Sequence, residues 1–322
     1  GAITTGDANT FIGSDCGDET TTASNNVGVG SAALGANTTG TENVAVGQVA
    51  LDANTTGSYN TAIGRHSLSS NTSASENTAV GRNALGDNTG ATNTAVGANA
   101  LGSNSTASDN TAVGRKALFS NTTGTSNVAV GETAMLLNVS GNQNTAVGRE
   151  SLSANTASDN TAIGRRALKA NTSASNNTAV GASAGTALTT GAANVAIGTN
   201  ALAASTTGAR NTIVGVDSSN QITSGADNTA MGYDSLTRCT TGGNNVAIGK
   251  DAGDNITSGS ANTCVGLDAG TNITQGDNNV CIGNDAKTAG EASANCIAIG
   301  IGFNAAASNT FSFGKSSNVV SN

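Results

Sequence analysis

The sequence predicts an all-β protein, a parallel β-solenoid of about nineteen 17-residue coils, and three observations carry that prediction. A pentapeptide of the Asn-Thr-Ala-Val-Gly type recurs with its glycine every 17 residues from Gly13 to Gly300, apart from two 16-residue steps ending at Gly97 and Gly164. The 322 residues include no proline, which leaves nearly every backbone N–H free to donate, as an extended ladder requires. Aromatic residues make up 2% and charged residues 11% of the chain, against 43 glycines. Such a composition also suits disorder, and it is the strict period that decides for a repeated structure.

Each coil is numbered here from the pentapeptide Asn as position 0. Position 3 is Val or Ile in 17 of 19 units, position 2 is Ala in 13, and position 4 is always Gly. A short β-branched run bounded by Asn and Gly reads as a strand. The glycine reads as a corner, represented by Gly47, Gly64, Gly81, Gly114, Gly148 and Gly198. No apolar spacing of i, i+3, i+4, i+7 supports a helix, and a Gly in every repeat would cost about 1 kcal/mol each inside one. Arg-x-Ala-Leu at positions 5 to 8 suggests a second strand. The Asn-Thr-Thr-Gly stretch that follows reads as a turn. Both 16-residue units lose their residue there, as at residues 88–93, which marks that stretch as loop and the pentapeptide as fixed structure.

A leucine column at position 8, including Leu51, Leu68, Leu85, Leu118 and Leu168, predicts one interior plug per coil. Where the column breaks, at Gly185, Ser219, Gly253 and Gly270, an apolar residue stands three places later, at Leu188, Ile222, Ile256 and Ile273. The plug is kept while its origin moves, and disorder has no interior to fill. The second coil type dominates after about residue 245.

Side chains at positions 1 and 3 point to one face of the strand, and those at 0, 2 and 4 to the other. The expectation is that Val/Ile fills the coil's own core, while the flat Asn/Ala/Gly face meets another chain. Two large apolar side chains per coil, about 2 kcal/mol apiece, do not offset backbone ordering of about 1–2 kcal/mol per residue. Association would supply the missing burial, so a parallel homotrimer or other small cyclic bundle is expected; tight packing within one narrow solenoid is the alternative.

The repeats Asn-Thr-Ala-Val-Gly and Asn-Val-Ala-Ile-Gly, the latter at residues 194–198 and 245–249, resemble the head repeats of trimeric autotransporter adhesins. The longer unit Asn-Thr-Ala-Val-Gly-Arg-x-Ala-Leu-x-x-Asn-Thr-Thr-Gly is similar to repeats of bacteriophage tail fibres and surface fibre proteins that end in an endosialidase-type intramolecular chaperone. The resemblance spans residues 9–314. It implies a trimeric shaft or binding head, extracellular on a virion tail fibre or cell surface, with stalk, anchor and chaperone outside these residues. The 17-residue unit is longer than that of the autotransporter heads.

Net charge is −8, which argues against nucleic acid or an anionic membrane surface as partner. No run approaches the roughly 18 apolar residues of a membrane span. The chain begins at Gly1 without a charged-then-apolar leader, and is expected to be a mature product or a segment of something longer. His66 is the single histidine, and with thinly spread acids no catalytic, metal or cofactor site is expected. Cys16, Cys264 and Cys281 take Ala places and read as small buried hydrophobes; a vertical bridge between Cys264 and Cys281 is the alternative. Arg65, Arg82, Arg115, Arg149 and Arg165 at position 5, and acids such as Glu42, Asp109 and Asp227 before the pentapeptide, read as solvated edges or register-setting pairs between chains.

Candidate glycosylation sites are Asn37, Asn54, Asn71, Asn104, Asn121, Asn138, Asn171, Asn255 and Asn272, in turns expected to be accessible; turn chemistry alone would select the same residues. Thr61, Thr78, Thr94 and Thr111 form a column reminiscent of ice-binding ladders, but Val takes its place at Val44 and Val128, which reads as burial.

The expected organisation is a rod over residues 1–300 and a C-terminal cap or transition over 301–322, where Phe303, Phe311 and Phe313 gather. The expected function is a structural, adhesive fibre module, not an enzyme, partnered with itself and with a host glycan or receptor. An end-to-end extracellular filament is the alternative, and an ice-binding solenoid a more distant one.

Overall fold

A computed structural model describes the backbone of residues 4–315 and 318–321, and the side chains of residues 4–314. The chain divides into two compact units, Gly1–Asp159 and Asn160–Asn322, a boundary in the middle of the repeats. Among the described residues there is no helix. The first unit holds β1 (Thr10–Ile12), β2 (Val27–Val29), β3 (Val44–Val46), β4 (Thr61–Ile63), β5 (Thr78–Val80), β6 (Thr94–Val96), β7 (Thr111–Val113), β8 (Val128–Val130) and β9 (Thr145–Val147). The second holds β10 (Thr161–Ile163), β11 (Thr178–Val180), β12 (Val195–Ile197), β13 (Thr212–Val214), β14 (Thr229–Met231), β15 (Val246–Ile248), β16 (Thr263–Val265), β17 (Val280–Ile282), β18 (Ile297–Ile301), β19 (Phe311–Lys315) and β20 (Asn318–Ser321).

Within each unit successive strands pair in parallel, one repeat apart: Thr61 faces Thr78 and Thr263 faces Val280. Each unit is therefore a parallel β-solenoid. The 16-residue coil keeps this register, with Thr78 opposite Thr94. Its turn yields instead: Thr89 alone donates to Ser105 O, where Thr38 and Thr39 both donate to Thr55 O.

Hydrogen bonds run between coils all the way round. In the coil beginning at Asn43, Val44 N–H donates to Asn60 O (2.8 Å), Leu51 N–H to Ser67 O (2.9 Å) and Thr55 N–H to Thr72 O (2.8 Å). Val49 and Tyr59 donate the other way, to Ser31 O and Thr41 O (2.9 and 3.0 Å). Proline at any of these places would delete a rung, which accounts for its absence.

Two expectations are corrected. Positions 5 to 8 are not a second strand; they form consecutive turns in which positions 6 and 8 are left-handed, as in His66 (φ 57°) and Leu68 (φ 50°). The reason is geometric. A strand would turn Ala84 and Leu85 to opposite sides, but both are fully buried, and the left-handed Leu85 (φ 50°) lets neighbours share the interior. That conformation costs a non-glycine residue about 1–2 kcal/mol, which burial of the leucine side chain, about 1.5–3 kcal/mol, offsets.

The faces of the strand are also reversed. The small residues point inward: Ala62, Ala79, Ala95 and Ala112 are fully buried, as is the Asn at position 0 of the same coils. Positions 1 and 3 point outward, and Ile63 is 40% exposed. The interior therefore consists of Ala at 2, Ala or Ser at 7, Leu at 8 and Asn at 0 and 11, and the flat small-residue face is not available to another chain.

Buried polar side chains require partners, and the asparagines supply them to one another. At position 0, Asn60 N–H donates to Asn43 Oδ1 (2.9 Å) and Asn77 N–H to Asn60 Oδ1 (3.0 Å). At position 11, Asn54 Nδ2 donates to Asn37 Oδ1 (2.8 Å) and to Gly57 O (2.9 Å), closing its own turn while bonding the coil before it.

The predicted corners and plugs lie as follows. Gly47, Gly64, Gly81, Gly114, Gly148 and Gly198 have φ between 127° and 138°. A Cβ on Gly64 would stand 2.6 Å from Gly81 O, so coils close on one another through bare backbone. Leu51, Leu68, Leu85, Leu118, Leu168, Ile256 and Ile273 are all buried. In the second coil type, Ile256 Cδ1 lies 3.1 Å from where a Cβ on Gly253 would be, so the isoleucine fills the space vacated at position 8.

The ends are specialised. Phe11 takes the interior place of Ala in the first coil, and the residues around it shrink to fit: Gly28 replaces the next Ala and Gly17 the Leu, each within 2.9 Å of the ring if it carried a Cβ. At the other end, β20 pairs antiparallel with β19 and interrupts the parallel ladder. Phe303 is buried, while the exposed Phe311 and Phe313 rings pack 5.6 Å apart.

Candidate functional site

Two surface features stand out from the regular coil. The first is the outward strip of positions 1 and 3. In the first unit it consists of Thr or Val beside Val or Ile in each coil from β2 to β9, with no charged residue. In the second unit position 3 is likewise outward, with Ile163, Ile197, Ile248 and Ile282 each about two-fifths exposed and Met231 at 47%. Coils about 4.8 Å apart make the first unit's strip about 40 Å long. At roughly 10 Å wide its area is about 400 Å², comparable with the largest such patch on a monomer, which is often functional.

The second feature is a groove of about 470 Å³ in the first unit, beyond the glycine corner. It exists because position 9 is small in three successive coils, Ser69, Gly86 and Gly102, before Phe119 fills the same place and closes one end. The phenyl ring lies over Gly102, 2.9 Å from where a Cβ would stand, and Lys116 Nζ is 5.7 Å from the ring centroid. Position 5 supplies Arg65 and Arg82 and position 6 supplies His66, Asn83 and Asn99. Arg65 Nε donates to Gln48 Oε1 (3.3 Å). Arg82 makes no ion pair, and the Asn83 and Asn99 side-chain amides no hydrogen bond, with other described residues. Asp87 and Ser103 complete the rim.

The remaining candidates are structural. Asn37, Asn54, Asn71, Asn104, Asn121, Asn138 and Asn171 are fully buried, which corrects the expected accessibility of these turns for glycosylation. Asn104 and Asn121, for example, donate Nδ2 to Ala107 O and Gly124 O (2.8 and 2.9 Å). Asn255 and Asn272 are half-buried and donate to Thr271 O and Thr288 O. Cys264 and Cys281 are register partners, both buried and both free thiols. The Cys281 thiol and burial together push Cys264 up, and burial pushes Cys239 up to about 11.

Charged side chains pair vertically between coils. Glu132 lies between Arg115 and Arg149, and Arg210 Nε bonds Asp227 (2.6 Å). Among the described residues no group of three or more His, Cys, Asp or Glu is arranged to hold a metal ion, and no helix is long and apolar enough to cross a membrane. The asparagine ladders and the groove escaped the sequence reading. The first had a signal, since position 0 is Asn in every coil from Asn9 to Asn279. The second had only the small run at position 9.

Comparison with protein-family models and with curated proteins finds no match to this chain.

Proposed function

We propose that the chain is a structural and adhesive fibre module, a parallel homotrimer on a phage tail fibre or an extracellular surface fibre. The observation that carries this reading is the outward strip: a flat, uncharged, β-branched column repeated in register coil after coil. Parallel copies can match such strips coil for coil about a common axis, and their burial supplies what a coil with one Leu plug lacks. The resemblance of the pentapeptides to trimeric adhesin heads and tail-fibre repeats supports the same arrangement. Inter-coil hydrogen bonds on every side suit a part that transmits load. Electron microscopy of the purified chain tests the reading: short rods of uniform length are expected, and indefinite filaments or irregular particles would overturn it.

A filament requires parallel continuation at the last coil, and β20 occupies that edge of β19. Ice binding gains from the outward placement of Thr61, Thr78, Thr94 and Thr111, which the sequence reading took to be buried. Val44 and Val128 bound that run of hydroxyls in the first unit. Thermal hysteresis in the purified chain would favour it over the fibre.

A further inference from the structure

We propose that the groove of the first unit binds an acidic saccharide, a sugar bearing a carboxylate. Its chemistry is mixed in the manner that such a ligand needs. Phe119 gives an apolar wall for the C–H face of a pyranose ring, with Gly86 and Gly102 leaving room against the backbone. The unbonded amides of Asn83 and Asn99, with Ser103, offer donors and acceptors for ring hydroxyls. Arg82, Arg65 and His66 lie together along the position 5 and 6 columns, and Arg82 is exposed and without an ion-pair partner among the described residues. A guanidinium in that state presents a fork matched to one carboxylate.

A nucleic acid fits less well. It needs a continuous cationic track with repeated stacking rings, and this groove has one ring and carries Asp87 on its rim, in a chain of net charge −8. Four coils at about 4.8 Å spacing bound the groove, which suits a short oligosaccharide end rather than a polymer. The groove lies beyond the glycine corner from the outward strip, so the two surfaces use different positions of the coil.

The inference deepens the adhesive part of the fibre reading and rests on it for the ligand being a surface glycan. The test is calorimetric titration of the full chain with sialyllactose, lactose and inorganic phosphate. Sialyllactose is expected to bind about tenfold or more tighter than lactose, the value of one good charged contact. Arg82→Gln should remove that preference, and Gly86→Phe should abolish binding of both sugars. The second variant is designed to fold, because Phe119 occupies the same coil position and a Cβ on Gly86 meets nothing closer than 3.6 Å. No binding of sialyllactose to the wild-type chain, equal binding of lactose, or phosphate binding as tightly as the sugar would each overturn the proposal. A chain that forms uniform rods yet binds no sugar loses the groove alone, whereas the fibre reading fails on particle shape.

Discussion

Asn110 illustrates the constraint on single residues. Its Oδ1 accepts from both the backbone N–H and Nδ2 of Asn127 (3.0 and 3.2 Å), and its Nδ2 donates to Gly124 O (2.9 Å), all buried, and to the part-buried Ser108 O (3.0 Å). Asn110→Ala leaves the buried Asn127 N–H unpaired, while Gly124 O keeps the Asn121 Nδ2 donor and Ser108 O the Ser126 N–H. At about 1–3 kcal/mol for an orphaned buried group, a loss of about 2 kcal/mol of unfolding free energy is expected, read as a lower urea midpoint. Asn110→Asp keeps the acceptor and loses the donors. Its carboxyl would be raised by burial, so the variant should be least stable at neutral pH and recover on acidification. Asp254 gives the opposite test. Burial raises its carboxyl, and Oδ1 has no hydrogen-bond partner. A raised acid contributes stability below its unfolded value, about 3.9, and loses it as pH rises through the folded value. Asp254→Asn is therefore expected to be more stable than wild type at pH 7, with the difference vanishing in acid melts. The thiols follow the same logic. With Cys239 pushed up to about 11 and Cys264, Cys281 and Cys296 buried, Ellman's reagent at pH 8 should label these four only after denaturation; rapid native labelling would contradict the buried placement.

The coil was legible in the sequence to the extent that repetition samples it. Nineteen copies show which residues each position admits, so the period, the register, the glycine corner and the Leu-to-Ile exchange could all be read from columns. The left-handed residue at position 8 could not, because Leu68 and Leu118 carry no preference for positive φ and inter-coil hydrogen bonds impose it on them; position 6 did carry a signal, in Asn83, Asn99, Asp251 and Asp268, residue types that tolerate that conformation. The orientation of the strand was misread because Val and Ile are ordinarily the buried partners of Ala. This interior already holds a Leu and two Asn per coil, and Ala is what fits. The groove was illegible because its residues are far apart in sequence and meet only through stacking, Arg65 beside Arg82 and Gly86 beside Gly102. The two coil types give a prediction at this scale. Leu236 plugs its coil, with Cys239 at position 11, and the coils on either side use Ile222 and Ile256. Leu236→Gly alone should cost about 3 kcal/mol, within the range for emptying a leucine site. Adding Cys239→Ile converts the coil to its neighbours' type, and most of that loss should be recovered in thermal melts. Additive destabilisation would contradict the shared-plug account.

At the scale of the molecule, the coil faces differ in what they offer. The asparagine ladders hold coil to coil, the position 5 and 6 columns carry charge and the groove, and the strip of positions 1 and 3 is uncharged, β-branched and uncovered within each unit. Val96 and Val113 sit on that strip, each 36% exposed, in adjacent coils. Changing both to Asp alters nothing inside a coil, so circular dichroism should be unchanged, while four or six like charges brought together across a closed ring would oppose assembly. Sedimentation equilibrium of the wild-type chain beside Val96→Asp/Val113→Asp tests the assignment of that strip most directly. The account predicts a wild-type mass three times that of the 31.0 kDa chain, and a folded monomer for the double variant. A wild-type chain that remains a stable monomer at micromolar concentration, with its strip in water, would contradict it.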